Sequence, residues 1–261
     1  MLPFCLLRST VTLTVTLSPL SLSSCFLRRH ALRLRGTPTS CSARLCSSNS
    51  GNTSAAAPLP IQSLVERDWS FLELDTVNSD EERRQKALRI IAAAAVRECS
   101  RLLVCMGSEW FVDRLVESAP ACVLLLVIHE SLFLLAMIKE KYDQVRCWQG
   151  EIAAIPCDFS ALDVVFVCYF PGMGVTTDQL LSSVAGRCSP GARLVISFDQ
   201  GRQVIEGKHH LQHPDMVKSV LPERTNLEKA AAAYSFQLVE YVDEPAFYLA
   251  VLSFSGSTNS A

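Results

Sequence analysis

From residue 102 onward the chain alternates short, continuously apolar runs with segments whose apolar residues recur at helical spacing. That alternation constrains the fold more than any other feature. A run that is apolar at every position must be buried on both faces, and a parallel sheet covered by helices on each side provides that burial. The runs over 102–106, 122–128, 145–149, 163–169 and 192–197 read as strands. Helical patterns over 111–118, 132–142 and 177–186 connect them. Ser79 followed by Glu82 forms a capping box that opens a helix ahead of Leu88, Ile90, Ile91 and Val96. Thr225 followed by Glu228 reads as a second box, opening a helix through Ala233. Two last strands, 236–242 and 247–254, are joined by Asp243, Glu244 and Pro245, too tightly for a crossover helix. They must therefore be antiparallel. The expectation is one α/β domain between Leu59 and Phe254, with a doubly wound, Rossmann-like, seven-stranded sheet. It has five parallel strands plus a C-terminal antiparallel hairpin. A chain of 261 residues that is 49% hydrophobic can bury one such core.

Charge is distributed unevenly. The first acidic residue is Glu66, and before it stand six arginines (Arg8, Arg28, Arg29, Arg33, Arg35 and Arg44) with no lysine. The whole chain carries −2, so the remainder carries −8 once those six are set aside. An acidic body is a poor binder of polyanions, which argues against a nucleic-acid partner. The acid-free, Arg-bearing, Ser- and Thr-rich N-terminus has the composition of a transit peptide. A secretory signal fits less well, because hydroxyl residues interrupt its apolar stretch and a long Arg/Ser-rich segment follows. The expected address is the chloroplast (plastid) stroma, with the mitochondrion as the alternative. No apolar run reaches the roughly 18 residues of a membrane span. Seven cysteines lie beyond the presequence with no Cys-x-x-Cys pair, which suggests buried thiols rather than disulfides or a zinc site.

Four places resemble the class I S-adenosylmethionine-dependent methyltransferase superfamily, in the manner of a divergent plant organelle member. Leu102 to Glu109 (LLVCMGSE) stands where that family has its glycine-rich first loop. Val127 to Ala136 (VIHESLFLLA) stands at the second strand end. Gln149-Gly150-Glu151, then Ile155-Pro156, then Leu162 to Val165 resemble its "G-D…L-P…F-D-V-V" signature. Arg187 to Ile196 (RCSPGARLVI) resembles its "R-x-L-x-P-G-G-x-L-V-I". By composition and this resemblance together, the chain divides into a transit peptide and disordered linker over 1–55 and an N-terminal helical extension over 56–98. A methyltransferase-like domain over 99–255 and a short disordered tail over 256–261 complete it.

The resemblance implies S-adenosyl-L-methionine as cofactor, held by Met106, Gly107, Ser108, His129, Glu130, Gly150, Glu151, Ile152, Cys168 and Tyr169. The family's G-x-G-x-G positions are occupied here by Cys105, Gly107 and Glu109, so only the central glycine remains. An inward Glu109 would oppose the cofactor's own carboxylate, whereas an outward one would suit a helix N-terminus. The ribose-binding acid aligns with Val127, leaving Glu130 and His129 as substitutes. Glu151 takes the place of the acid that receives the adenine amino group, or is a solvated loop acid. Tyr169 is the catalytic candidate, with aromatic packing as its alternative role. Methyl transfer needs mainly in-line positioning, because the sulfonium is already activated. His209, His210 and His213 lie close in sequence and read as a solvated insertion or a lid over the pocket rather than a metal site.

Two functions follow. One is a methyltransferase acting on a small organelle metabolite. The other is a catalytically inactive methyltransferase-fold protein serving as a binding or assembly partner of another protein. A nicotinamide-dependent oxidoreductase would need G-x-G-x-x-G and an acid at the second strand end, and neither is present.

Overall fold

The computed structural model describes residues 66–74 and 78–256, all within the compact unit from Pro58 to Ala261. The targeting segment and linker expected over 1–55 lie outside the described residues, as does the end of the tail. Strands β1 (Arg101–Cys105), β2 (Leu124–His129), β3 (Arg146–Gln149), β4 (Leu162–Val167), β5 (Cys188–Phe198), β6 (Phe236–Glu244) and β7 (Phe247–Phe254) form one sheet in the order β3-β2-β1-β4-β5-β7-β6. The first five are parallel neighbours. β7 is antiparallel to both β5 and β6. The architecture is the one the apolar pattern implies.

The strands are apolar throughout because both faces are covered. Leu103, Cys105, Val165 and Val167 face one core, with Leu180 and Val184 of helix Thr177–Ala185 and Leu227 of helix Arg224–Ala233. Leu102, Val104, Val164 and Phe166 face the other, with Ile90 of Asp80–Ala93, Leu115 of Glu109–Ser118 and Ile138 of Leu132–Lys141. Each such aliphatic side chain contributes roughly 1.5–3 kcal/mol when fully buried. Helix starts are capped by side chains. The Ser79 hydroxyl accepts from the Glu82 amide, and the Glu82 carboxylate accepts from the Ser79 amide at 2.8 Å. Ser108, Ser131 and Thr176 cap the next three long helices.

Three local expectations change. The helix Arg224–Ala233 starts from Glu223 without a side-chain cap, so Thr225 and Glu228 form no box. Thr225 is already inside the first turn, and the Glu228 carboxylate instead accepts from Arg224 Nε at 2.9 Å. β5 begins at Cys188, ahead of the strand expected from residue 192, and runs through Pro190 and Gly191. Pairing with β4 shifts register between Leu162 and Val164 there, so the missing proline N–H falls where the ladder is already broken. The histidine-bearing insertion is not simply solvated. It coils through Arg202–Val204, a π turn at Ile205–His209, and His210–Gln212, and it buries His209 completely.

Candidate functional site

In open α/β sheets the ligand crevice lies at the carboxyl ends of the strands, where strand order reverses. Here that point is between β1 and β4. β1 ends at Cys105 and passes through Met106, Gly107 and Ser108 into the helix Glu109–Ser118. Gly107 is required by close approach, since a Cβ there would stand 2.4 Å from Val104 Cγ1. Met106 has the left-handed backbone, at φ +54°, and is buried. Ser108 Oγ accepts from the Phe111 amide at 3.2 Å. Glu109 turns away from the crevice, with its carboxylate 3.4 Å from Lys141 Nζ. At the first position of a helix it is favoured there by the helix dipole. The carboxylate repulsion that the sequence raises is therefore not what limits the site.

At the end of β2, His129 is buried, and its Nδ1 accepts from the Ser131 amide at 2.9 Å. Burial lowers its pKa to about 4 against the opposing pull of Glu66, so the ring is neutral at physiological pH. Glu130 is engaged, with Oε2 2.9 Å from the Arg67 guanidinium. At the end of β3, Gly150 adopts φ +126°, Glu151 is exposed, and Ile152 is buried. These three residues line one small cavity with Met106 and Glu130. At the end of β4, Cys168 packs against Gly107 and lines a second cavity with Met106, Ser108 and Tyr169. The Tyr169 ring is buried, and its hydroxyl is 2.9 Å from His209 Nδ1. Burial pushes that phenol above its usual range. The loop after β1 and the ends of β2, β3 and β4 thus gather all ten candidate residues at one end of the sheet. Among the described residues, no group of three or more His, Cys, Asp or Glu side chains could hold a metal.

The decisive residues were not singled out from the sequence. Residues 66–74 cross this end of the sheet. Trp69 is 4% exposed, with its ring centroid 5.6 Å from His129 and 6.5 Å from Tyr169. β1 lies between β2 and β4, so a ring that touches both His129 and Tyr169 covers the carboxyl end of β1. Gly172 makes room for it: a Cβ at that position would lie 2.9 Å from the indole ring. Phe71 is also buried and stacks on His213 at 4.0 Å. The segment is tied down at its start. The Glu66 carboxylate accepts from Ser131 Oγ and from the Leu132 amide at 3.0 Å, at the N-terminus of helix Leu132–Lys141. Burial pushes the Glu66 carboxyl up, but these bonds and His129 outweigh it and hold it below the usual range. Next to it, Arg67 holds Glu130.

The space at this end of the sheet is divided. The cavity at Gly150–Ile152 measures about 20 Å³, the one at Met106–Cys168 about 60 Å³, and a third, between residues 66–74 and Ser108, His129 and Ser131, about 270 Å³. Pockets for drug-sized ligands measure roughly 300–1,000 Å³. The signal in the sequence was the pair Trp69 and Phe71 ahead of the Ser79 box, but apolar spacing alone does not say where so short a segment docks.

Comparison with known proteins agrees with the fold. No protein-family profile and no curated protein matches the chain. Solved structures do, and S-adenosylmethionine-dependent methyltransferases are among them. A chain of the complex between the Haloferax volcanii Trm112 methyltransferase activator and a proposed methyltransferase aligns with TM-score 0.55 and 11% identity, over 69% of this chain and 100% of that one. The N-methyltransferase NodS of Bradyrhizobium japonicum aligns with TM-score 0.52 and 14% identity, over 68% and 99%. The magnesium protoporphyrin IX methyltransferase of Synechocystis, solved with S-adenosylhomocysteine bound, gives 0.51 and 11%, over 72% and 92%.

Proposed function

With a Rossmann-like methyltransferase fold as the premise, we propose that this chain serves as a binding or assembly partner and does not turn over S-adenosylmethionine. One observation carries the reading. Trp69, Phe71 and Met106 are buried at the strand ends where a methyltransferase-fold protein would seat its cofactor; the cavities at Gly150–Ile152 and Met106–Cys168 are about 20 and 60 Å³, and the cavity of about 270 Å³ at Ser108 and His129 is walled by residues 66–74 themselves. The ribose end adds support, because Glu130 is committed to Arg67 and His129 to Ser131. A similar fold assembled with a protein activator in the Haloferax complex makes a protein partner a reasonable role. An organelle setting, plastid before mitochondrion, follows from the arginine- and serine-rich presequence.

A second reading is a methyltransferase acting on a small organelle metabolite. Glu151 favours it: its carboxylate is exposed beside Gly150 and Ile152 and makes no side-chain hydrogen bond among the described residues. Titration calorimetry of the full chain with S-adenosylmethionine and S-adenosylhomocysteine separates the two. The partner reading expects no heat of binding up to about 1 mM ligand, equivalent to less than about 4 kcal/mol of affinity. Micromolar binding of both ligands would sink it in favour of the enzyme.

A further inference from the structure

We propose that residues 66–71 are a displaceable intramolecular occupant of the crevice, a latch whose release opens a site for a nucleoside-bearing ligand. The inference rests on the reading that the chain itself covers the crevice. Three observations distinguish a latch from ordinary core.

First, the polar ties of the segment sit at its exposed start. Glu66 and Arg67 are both exposed, and they bond Ser131, Leu132 and Glu130. These groups flank the end of β2, the part of the crevice that would face a ribose. The segment therefore occupies with its own carboxylate and guanidinium the donors and the acceptor that a ligand diol would need. Second, the Trp69 indole Nε1 is buried with no hydrogen-bond partner among the described residues. A buried donor left unpaired weakens the seat of the ring that fills the site. Third, Trp69 rests against a glycine. Gly172 offers it a flat wall, with no side chain interlocking from that position. By contrast, the walls beneath are fixed by the sheet: Ile128, Ile152 and Tyr169 are buried on strand ends and the turns that follow them.

A closed latch reduces apparent affinity by the fraction of molecules that are open. If about 1% are open, freeing the latch tightens binding about 100-fold. Two double variants of the full chain test this, with S-adenosylhomocysteine as the probe. Glu66→Gln with Arg67→Ala cuts the ties and leaves the aromatic residues in place. Trp69→Ala with Phe71→Ala empties the crevice and keeps the ties. Calorimetry reads affinity, and amide hydrogen exchange reads whether residues 66–74 are released and whether the sheet stays folded.

A latch predicts that the Glu66/Arg67 variant exchanges faster over 66–74 and binds the probe at least about 10-fold more tightly than the parent chain. If the segment is released and the sheet is protected, yet neither variant binds, the latch is overturned while the partner reading stands. If the parent chain binds the probe and both variants bind it equally, the latch and the partner reading both fall. If the parent binds and the variants bind more tightly, the latch stands and the partner reading falls. Should the Glu66/Arg67 variant keep 66–74 protected, the Trp69/Phe71 variant decides alone: tighter binding supports the latch and unchanged binding overturns it.

Discussion

The two ends of the crevice are built from the same sheet edge but by opposite means. At the β3 end, Gly150 and Glu151 follow the strand, the positive φ belongs to a glycine, and the carboxylate faces water. At the other end, Met106 takes the left-handed backbone that glycine accepts most easily, and Trp69, thirty-seven positions upstream, packs against His129 and Tyr169 at the flanking strand ends. One end leaves its polar residue open to water. The other is covered by buried aromatic side chains. The contrast teaches that a segment distant in sequence can cover part of a crevice and leave the rest exposed.

Perturbing one end against the other sharpens that comparison. The largest effect should come from Trp69→Ala, a large-to-small change in a buried cluster, which is expected to cost about 3–5 kcal/mol in urea unfolding. Glu151→Ala, at the exposed end, should stay within about 0.5 kcal/mol. Equal losses would mean that the crevice is not filled at one end only.

Acid comes next. His129 has its pKa lowered by burial to about 4 from an ordinary value near 6.5. In that window the unfolded chain binds the proton and the folded chain does not, so stability falls as pH drops from about 6.5 to 4. The loss should approach about 3 kcal/mol. Glu66 acts in the same direction at lower pH, since its carboxyl is held below the usual range. His129→Asn should flatten the profile above pH 5. A profile unchanged by that substitution would contradict a buried, neutral His129.

Smaller still is Gly107→Ala. Its Cβ would meet Val104 Cγ1 at 2.4 Å, and overpacking of this kind costs about 1–3 kcal/mol. The smallest effect belongs to Glu109→Gly. Its side chain points to Lys141 at the surface, so affinity for S-adenosylhomocysteine should not change. A gain in affinity would place Glu109 inside the crevice after all.

Sequence pattern made most of the fold legible, because period and apolar continuity are local signals that the sheet amplifies. Strands β1 to β5, the Ser79 box and the closing hairpin all follow from residues within a few positions of each other. The Thr225 box failed because the same short pattern also fits the inside of a first turn. The candidate site was legible as a place. All ten residues lie at the strand ends between β3 and β4. Their occupancy was not legible. The contacts of Trp69 with His129 and Tyr169 span 60 and 100 positions. Nothing local to Trp69 encodes them. Glu109, the most suspicious substitution by chemistry, proved to be a surface acid at a helix start. The burial of His209 was hidden in the same way, by the distant aromatic rings of Phe71 and Phe198.

The central claim is that Trp69 occupies the crevice, and the chain has three tryptophans with which to test it. With Trp110 and Trp148 changed to Phe, the remaining emission comes from Trp69 alone. We expect blue-shifted fluorescence, acrylamide quenching far below that of a free indole, and no change on adding S-adenosylhomocysteine. A red-shifted, freely quenched Trp69 in a folded chain would contradict the account and leave the crevice open.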